Sequence, residues 1–285
     1  MLGVLTSGEL GVYTLRQISE NYKIGFVLTD SKSLDVINFC QEKNIPFFKG
    51  NPRDGKGFEF IKNIEVDIIA SINYLFLIEN DIINHSTHLT FNIHGSLLPK
   101  YRGRTPHVWS IINNEKITGI TAHIIDSGCD TGDIISQIEI PIGENDTGND
   151  VLEKYKNEYF NLVETVILKF KQGKIQPFRQ NIEEATYFGK RTPDDGEINW
   201  HWQKERIKNW VRAQSKPYPG AYTFYLDKKI IIDEVKYSNC GYSNDMENGV
   251  ILANSPKIIV KTPNGAIELI KIRGLFNPEI GSLLK

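Results

Sequence analysis

The sequence predicts an α/β protein: a doubly wound, mostly parallel sheet followed by a small C-terminal β subdomain of partial-barrel or OB-like form. Three observations carry this. Short apolar runs alternate with stretches of helical spacing through the first part of the chain, the pattern of strand-helix-strand units. One long amphipathic stretch then closes that region. From residue 216 onward there are only short β-type runs divided by turns, with no helix between them.

Residues 2–5 form an apolar run, followed by a glycine-containing turn and by GVYTLRQISEN, where Val12, Leu15 and Ile18 recur at helical spacing. KIGFVLTD is a second apolar run, as a buried parallel strand requires. LDVINFCQEKN reads as a helix, IPFFKG as a strand or edge segment, FEFIKNIEV as a helix and VDIIASINY as a strand. FLIENDIINHS reads as a second short helix and LTFNIHG as the next strand. HVWSIINNEK is helical through Val108, Ile111 and Ile112, while ITGITAHIID and DTGDIISQIEIPI supply two further strands. The long helix starts at Asp146 or Thr147 and stops at Gly173, with a buried stripe of Leu152, Tyr155, Tyr159, Leu162, Val166 and Phe170. ERIKNWVRAQS is a short helix, and AYTFYL, KKIIIDEVKY, GVILA, KIIVKT and AIELIKIRG are the late β runs. The expected organisation is a catalytic domain with a Rossmann-like core over residues 1–190, a connector over 191–215 and the β subdomain over 216–285.

Composition removes several classes. Apolar residues make up 40% and charged residues 24% of 285 residues, ordinary for a soluble globular chain. A net charge of -2 argues against affinity drawn from bulk attraction to nucleic acid. Cys40, Cys129 and Cys240 are far apart and odd in number, so they build neither a disulfide framework nor a CxxC zinc site. MLGVLTSGELG lacks a basic n-region and a long apolar core, and no 18-residue apolar run occurs, so a reduced, cytoplasmic protein without membrane contact is expected. The turn at Gly8 and Gly11 offers GxxG without the first glycine of GxGxxG. It reads as a tight strand-to-helix turn rather than a dinucleotide site, although it lies at the carboxyl edge, where ligands bind.

The chemistry concentrates in LTFNIHGSLLPKYRGRTP at residues 89–106 and DTGDI at 130–134. Along a strand, Leu89, Phe91 and Ile93 point one way and Thr90, Asn92 and His94 the other. Asn92 and His94 thus share a face beside the turn at Gly95 and Ser96. A carboxamide donor next to an imidazole suits a reaction that builds negative charge on an oxygen while moving a proton. Either side chain alone is as readily structural. Asp130 can fix the imidazole tautomer and raise its basicity, or can cap the turn before Gly132. SLLPKYRGRTP combines two prolines with a glycine and is a shaped loop. Its Arg102 and Arg104 offer forked donors for carboxylate or diphosphate oxygens, or are ordinary solvated arginines. His107, His123 and His201 have no acidic or histidine neighbour at metal-ligand spacing, so no metal is expected.

FNIHGSLLPKYRGRTP followed by GITAHIIDSGCDTGDI resembles the formyltransferase family that uses 10-formyltetrahydrofolate, in order and spacing over most of the first 190 residues. GKRTPDDGEINW and VRAQSKPYPGAY resemble the branch holding methionyl-tRNA formyltransferase and the nucleotide-sugar N-formyltransferases. The resemblance implies a catalytic trio of Asn92, His94 and Asp130. A substrate amine would attack the formyl carbon, Asn92 would bond the developing oxyanion, and His94, oriented by Asp130, would take the amine proton. The order of proton transfer between His94 and Asp130 stays open. Folate contacts are implied for Tyr74, Leu75, Phe76, Leu77 and Ile78, and for backbone near Ile125 and Asp126.

HGSLLP followed by YRG departs from the HPSLLP of the glycinamide-ribonucleotide branch. A short early loop and a C-terminal region not rich in basic residues depart from the tRNA branch. The implied acceptor is a nucleotide-linked amino sugar. First comes dTDP-4-amino-4,6-dideoxyglucose of bacterial O-antigen and lipopolysaccharide synthesis, then UDP-4-amino-arabinose, then a 3-amino sugar. Ser96, Arg102, Arg104, Lys190 and Arg191 would meet the sugar and its diphosphate. Tyr218 and Tyr222 would stack on the base or pack inside the protein. A hydrolase releasing formate from the folate, and a non-catalytic nucleotide-sugar or folate binder, remain open alternatives. The strand edges of the β subdomain suggest pairing with a second copy, hence a homodimer.

Overall fold

The apolar runs become strands because their side chains have no water-facing side. β1 (Leu2–Thr6) and β4 (Ile68–Ile72) are buried at every residue, as the centre of a sheet covered on both faces requires. The computed structural model describes residues 1–285. Between and after these strands come α1 (Gly8–Asn21), β2 (Ile24–Thr29), α2 (Leu34–Glu42), β3 (Phe47–Lys49), α3 (Lys56–Ile61), α4 (Asn80–Ile83) and β5 (Leu89–His94). Then follow β6 (Arg102–Gly103), α5 (Pro106–Ile112), β7 (Ile117–Ile124), β8 (Ile134–Pro141), α6 (Gly148–Lys171) and β9 (Tyr187–Phe188).

The chain forms two compact units. The first comprises Met1–Gly103, Gly119–Ile140 and Lys154–Phe188, and the second comprises Arg104–Thr118, Pro141–Glu153 and Gly189–Lys285. The main sheet has seven strands in the order β3-β2-β1-β4-β5-β7-β8. The pairs among β1 to β5 are parallel, and the strand order reverses between β1 and β4. The sheet is thus mostly parallel, as the alternating runs predict. The exception decides the chemistry: β5 and β7 run antiparallel, with Asn92 opposite His123 and His94 opposite Thr121. Directly opposed residues project from the same face.

One core cluster joins Leu5, Phe26, Leu28, Ile61, Val66, Ile69 and Ile82, with Tyr74 and Ile78 packed against it. That packing corrects one expected helix. The helix expected from Phe76 begins only at Asn80; residues 74–79 are irregular, with a bend at Phe76. Tyr74, Phe76 and Ile78 are half-buried, and Leu75 and Leu77 exposed. The predicted helix at FEFIKNIEV likewise ends at Ile61, where the chain turns to place Val66 in the core. In α6, Thr147 and Asp150 exchange bonds as a capping pair, fixing the start at Thr147. Its buried face is Val151, Tyr155, Tyr159, Leu162, Val163, Val166 and Ile167, while Leu152 and Phe170 are only half-buried.

In the second unit, α7 (Lys204–Ala213) precedes β10 (Ala221–Tyr225), β11 (Lys228–Ser238), β12 (Ile251–Ala253), β13 (Ile258–Thr262) and β14 (Gly265–Arg273). These make a five-stranded sheet in the order β10-β11-β14-β13-β12, with all neighbours antiparallel. Its edges are not open. The final segment bonds to β12 through Ile251 N to Ser282 O and Gly281 N to Ile251 O, both 2.9 Å. It bonds to β10 through Phe224 N to Lys285 O at 2.8 Å and Lys285 N to Phe224 O at 2.9 Å. Residues 281–285 therefore close the curled sheet into a ring. The edge-pairing route to a homodimer does not survive this closure.

Leu284, only 4% exposed, anchors the closing segment. Leu284→Ala should cost about 2–5 kcal/mol of the stability of the unit it closes. Denaturant titration is the check, and a wild-type midpoint would show that closure contributes little.

Candidate active site

Asn92 and His94 stand two residues apart on one face at the carboxyl end of β5. His94 is buried, and its Nε2 lies 2.8 Å from the carbonyl oxygen of Tyr101. A carbonyl only accepts, so Nε2 carries the ring proton. Nδ1 lies 3.4 Å from Asp130 Oδ1. In the neutral ring that nitrogen is a lone pair, and any proton it takes up lands opposite a carboxylate. Burial holds the His94 pKa below its ordinary value, with the Asp130 charge and the Tyr101 carbonyl pulling the other way. For Asp130, burial alone would raise the pKa. The contact with His94 and the Gly103 N–H outweigh it and hold the carboxyl far below the usual carboxylate range.

His123 joins this pair. Its Nδ1 lies 2.8 Å from the carbonyl oxygen of Ile124 and is therefore the protonated nitrogen. Its Nε2 then accepts from Asn92 Nδ2 at 3.1 Å and lies 3.7 Å from Asp130 Oδ1. This bond fixes the carboxamide with its NH₂ turned toward His123. One N–H is taken by His123 and the second is left for a ligand oxygen. Sequence spacing concealed His123, because its partners come from β5 and from the turn at Asp130. The usable signal was Thr121 and His123 on one strand face, but it has meaning only once β7 is known to pair with β5.

The backbone around Asp130 is specialised. Asp130 adopts a left-handed φ of 56° and accepts Gly103 N at 2.9 Å on Oδ2. A Cβ on Gly132 would lie 1.9 Å from the Ile124 carbonyl oxygen, so only glycine allows the chain to fold back over β7 there. The SLLPKYRG loop is pinned by its own hydroxyls. Ser96 Oγ donates to Lys100 O at 2.6 Å, and Thr121 Oγ1 donates to Ser96 O at 2.6 Å.

These contacts correct several expected substrate residues. Ser96 is fully buried and closes its own loop. Arg102 is 3% exposed, with Nε and Nη2 on Gln180 Oε1 at 3.1 and 2.6 Å and Nη1 on the Tyr187 hydroxyl, so it is not presented to a diphosphate. Tyr222 is buried, donates to Asp194 O at 2.9 Å and has Lys229 Nζ 3.5 Å above its ring, which leaves no face for a base. Arg191 lies between the rings of Trp109 and Trp210, at 4.9 and 4.4 Å, and bonds Asp195 O and Gln214 Oε1. In each case the residue type was suited to a ligand, but the side chain is engaged within the protein. Burial does this for Ser96, Arg102 and Tyr222, and ring and hydrogen-bond contacts do it for half-buried Arg191. Arg104 and Lys190 are exposed, and Tyr218 is half-buried with its hydroxyl 2.9 Å from His107 Nε2. Asn92, His94, Ser96, Arg102, His123 and Asp130 belong to the first unit; Arg104, Lys190, Arg191, Tyr218 and Tyr222 belong to the second.

Of the residues expected at a folate, Leu75 and Leu77 are 47% and 63% exposed on the segment after β4. Tyr74 buries its hydroxyl without a protein partner. Phe76 meets the Tyr74 ring edge-on at 5.6 Å. Asp126 is exposed, and its Oδ1 accepts from Gly128 N at 3.1 Å and Thr131 Oγ1 at 2.7 Å. No group of three or more His, Cys, Asp or Glu side chains is arranged to hold a metal ion.

Residues 10–167 match the family described as formyl transferase, and residues 190–275 match the formyl transferase C-terminal domain. The bifunctional polymyxin resistance protein ArnA of Wigglesworthia glossinidia brevipalpis is 37% identical over 264 residues, 88% of this chain. The chain spans only 39% of that relative's length. The crystal structure of WlaRD, a sugar 3N-formyl transferase in the presence of dTDP and 5-N-formyl-THF, superimposes with a TM-score of 0.73 at 25% identity, covering 96% of this chain and 98% of that one. An N-formyltransferase from Helicobacter canadensis in complex with folinic acid and dTDP-3-aminofucose shares the fold, with a TM-score of 0.75 at 23% identity over 94% and 98% of the two chains.

Gly132→Ala should lower the thermal midpoint by an amount equivalent to about 1–3 kcal/mol of overpacking. Gly189→Ala, where an added methyl meets nothing within 4 Å, should leave the midpoint unchanged. Equal melting of the two variants would contradict the close approach at Ile124.

Proposed function

Because the chain belongs to the formyl transferase family, we propose that it moves a formyl group from 10-formyltetrahydrofolate to the amine of a nucleotide-linked amino sugar. The observation that carries this reading is a carboxamide N–H and an imidazole lone pair gathered at one ionised carboxylate. 10-Formyltetrahydrofolate, the co-substrate, supplies the electrophilic formyl carbon. Asn92 donates its second N–H to the formyl oxygen as the amine adds, where negative charge grows. His94, kept neutral by burial, accepts the amine proton at Nδ1, the nitrogen not bonded to a carbonyl. Asp130 stays ionised and compensates the imidazolium that results. The tetrahedral adduct then collapses: the formyl C–N10 bond breaks and the proton passes from His94 to N10 of the departing tetrahydrofolate.

The segment after β4 fits a flat folate ring: apolar Leu75 and Leu77 are exposed, and the buried Tyr74 hydroxyl is an unused donor. Backbone at Ile125 and Asp126 adds polar edges. The sugar 3N-formyl transferase at 25% identity supports a dTDP-linked acceptor. Within that class we place dTDP-4-amino-4,6-dideoxyglucose first, in bacterial O-antigen and lipopolysaccharide synthesis in the cytoplasm. UDP-4-amino-arabinose is the second reading, favoured by the resemblance of residues 189–200 to that enzyme. Arg104 and Lys190 are exposed cations suited to the diphosphate, and Tyr218 is a half-buried ring suited to the base. No helix is long and apolar enough to cross a membrane.

The test is formyl transfer from 10-formyltetrahydrofolate to a panel of dTDP- and UDP-linked 3- and 4-amino sugars. Asn92→Ala should lower kcat by about 10²–10³-fold. His94→Ala should lower it by about 10²–10⁴-fold. Turnover unchanged in either variant would sink the site assignment, and rapid formate release without an amine would favour a hydrolase. Because burial lowers the His94 pKa, the acid limb of kcat/KM should fall on the acidic side of the ordinary histidine range. A limb at or above that range would contradict a buried neutral base.

A further inference from the structure

Asn92, His94 and Asp130 account for the proposed chemistry, yet the placement of Asp130 depends on a segment remote in sequence. We propose that Gln180, locked by Arg102, is the positioning residue that sets the Asp130 carboxylate against His94; this rests on the role given to Asp130 above.

A non-glycine residue at φ 56° is held there only when its surroundings over-determine it. Gln180, 9% exposed, supplies the constraint. Its Nε2 donates to Asp130 O at 2.9 Å and to Gly132 O at 2.7 Å, bracketing the turn. Its Oε1 accepts two N–H groups from the Arg102 guanidinium, at 3.1 and 2.6 Å. A guanidinium only donates, so the amide cannot reverse, and its NH₂ must face the two carbonyls. Arg102 is fixed in turn by the Tyr187 hydroxyl, the next strand over in the β6–β9 pair.

The two residues of β6 therefore hold Asp130 twice. Arg102 acts on its backbone through Gln180, and Gly103 N binds its carboxylate directly at 2.9 Å. Gln180 reaches this place because the chain leaving α6 pairs with the start of β8: Ile134 N to Phe178 O is 2.8 Å and Phe178 N to Ile134 O is 3.0 Å. Two residues later the glutamine lies under the turn. The carboxylate that results is directed at His94 Nδ1, 3.4 Å away.

The experiment compares Gln180→Leu, which loses every bond, and Gln180→Glu, which keeps the acceptor for Arg102 but loses both donors. Each is measured alone and combined with Asp130→Asn, using the full chain with 10-formyltetrahydrofolate and the best acceptor of the panel. With an intact Asp130, kcat should fall about 100-fold while both KM values hold, the scale expected of a misplaced catalytic group. The acid limb of the pH profile should move to lower pH, since the Asp130 charge that raises the His94 pKa is no longer held in place. In the Asp130→Asn background the Gln180 substitutions should cost nothing further. Full kcat in the Gln180 variants, or an equal loss in both backgrounds with an unmoved limb, would overturn the inference. If the leucine variant does not fold, the glutamate variant decides by the same outcomes. Wild-type turnover in Asp130→Asn alone would instead overturn the catalytic reading on which the inference rests.

Discussion

The carboxylate of Asp130 sits between two imidazoles where there is little water, its side chain 13% exposed. A charge in such a place is tolerated only if nearby groups replace its lost hydration. The Gly103 N–H does so in the resting state, and a proton arriving on His94 Nδ1 adds to it; local backbone choices make both possible. Asp130 takes a left-handed turn, Gly132 gives up its side chain, and β6 brings an amide to the carboxylate. The ring of His94 is held by the Tyr101 carbonyl, itself on a loop pinned by Ser96 and Thr121. One buried charge thus organises residues from β5, β6, β7 and the start of β8.

The same dependence explains what was legible in the sequence. The α/β class and the carboxyl-end location of Asn92 and His94 followed from periodicity, because alternation along a strand is a local property. Asp130 was legible as a residue type in a turn, though its conformation was not. His123 was not legible, because its role exists only through the antiparallel pairing of β5 with β7, a contact across 31 positions. Arg102 and Tyr222 differ from the expectation for a related reason: chemistry suited to a ligand serves equally well inside the protein, and their burial separates the two uses. Residues 76–79 were read as the start of a helix because a dense apolar run fits both periods, whereas packing of Tyr74 and Ile78 against the core cluster delays the helix to Asn80.

The second unit shows how a short β region manages its edges. A curled sheet with free edges invites pairing with other chains. Here residues 281–285 satisfy β12 on one side and β10 on the other, so the ring closes within the chain. The exposed cations suited to a nucleotide diphosphate, Arg104 and Lys190, belong to this same unit, whereas the catalytic trio belongs to the other.

The central claim is that His94 is neutral, protonated on Nε2 and open on Nδ1 toward an ionised Asp130. Nitrogen-15 chemical shifts of the His94 ring, followed across pH in the intact protein, report this directly. The account predicts the Nε2–H tautomer at neutral pH, with protonation of Nδ1 only on the acidic side of the ordinary histidine range. An Nδ1–H tautomer, or a ring already charged at neutral pH, would contradict it.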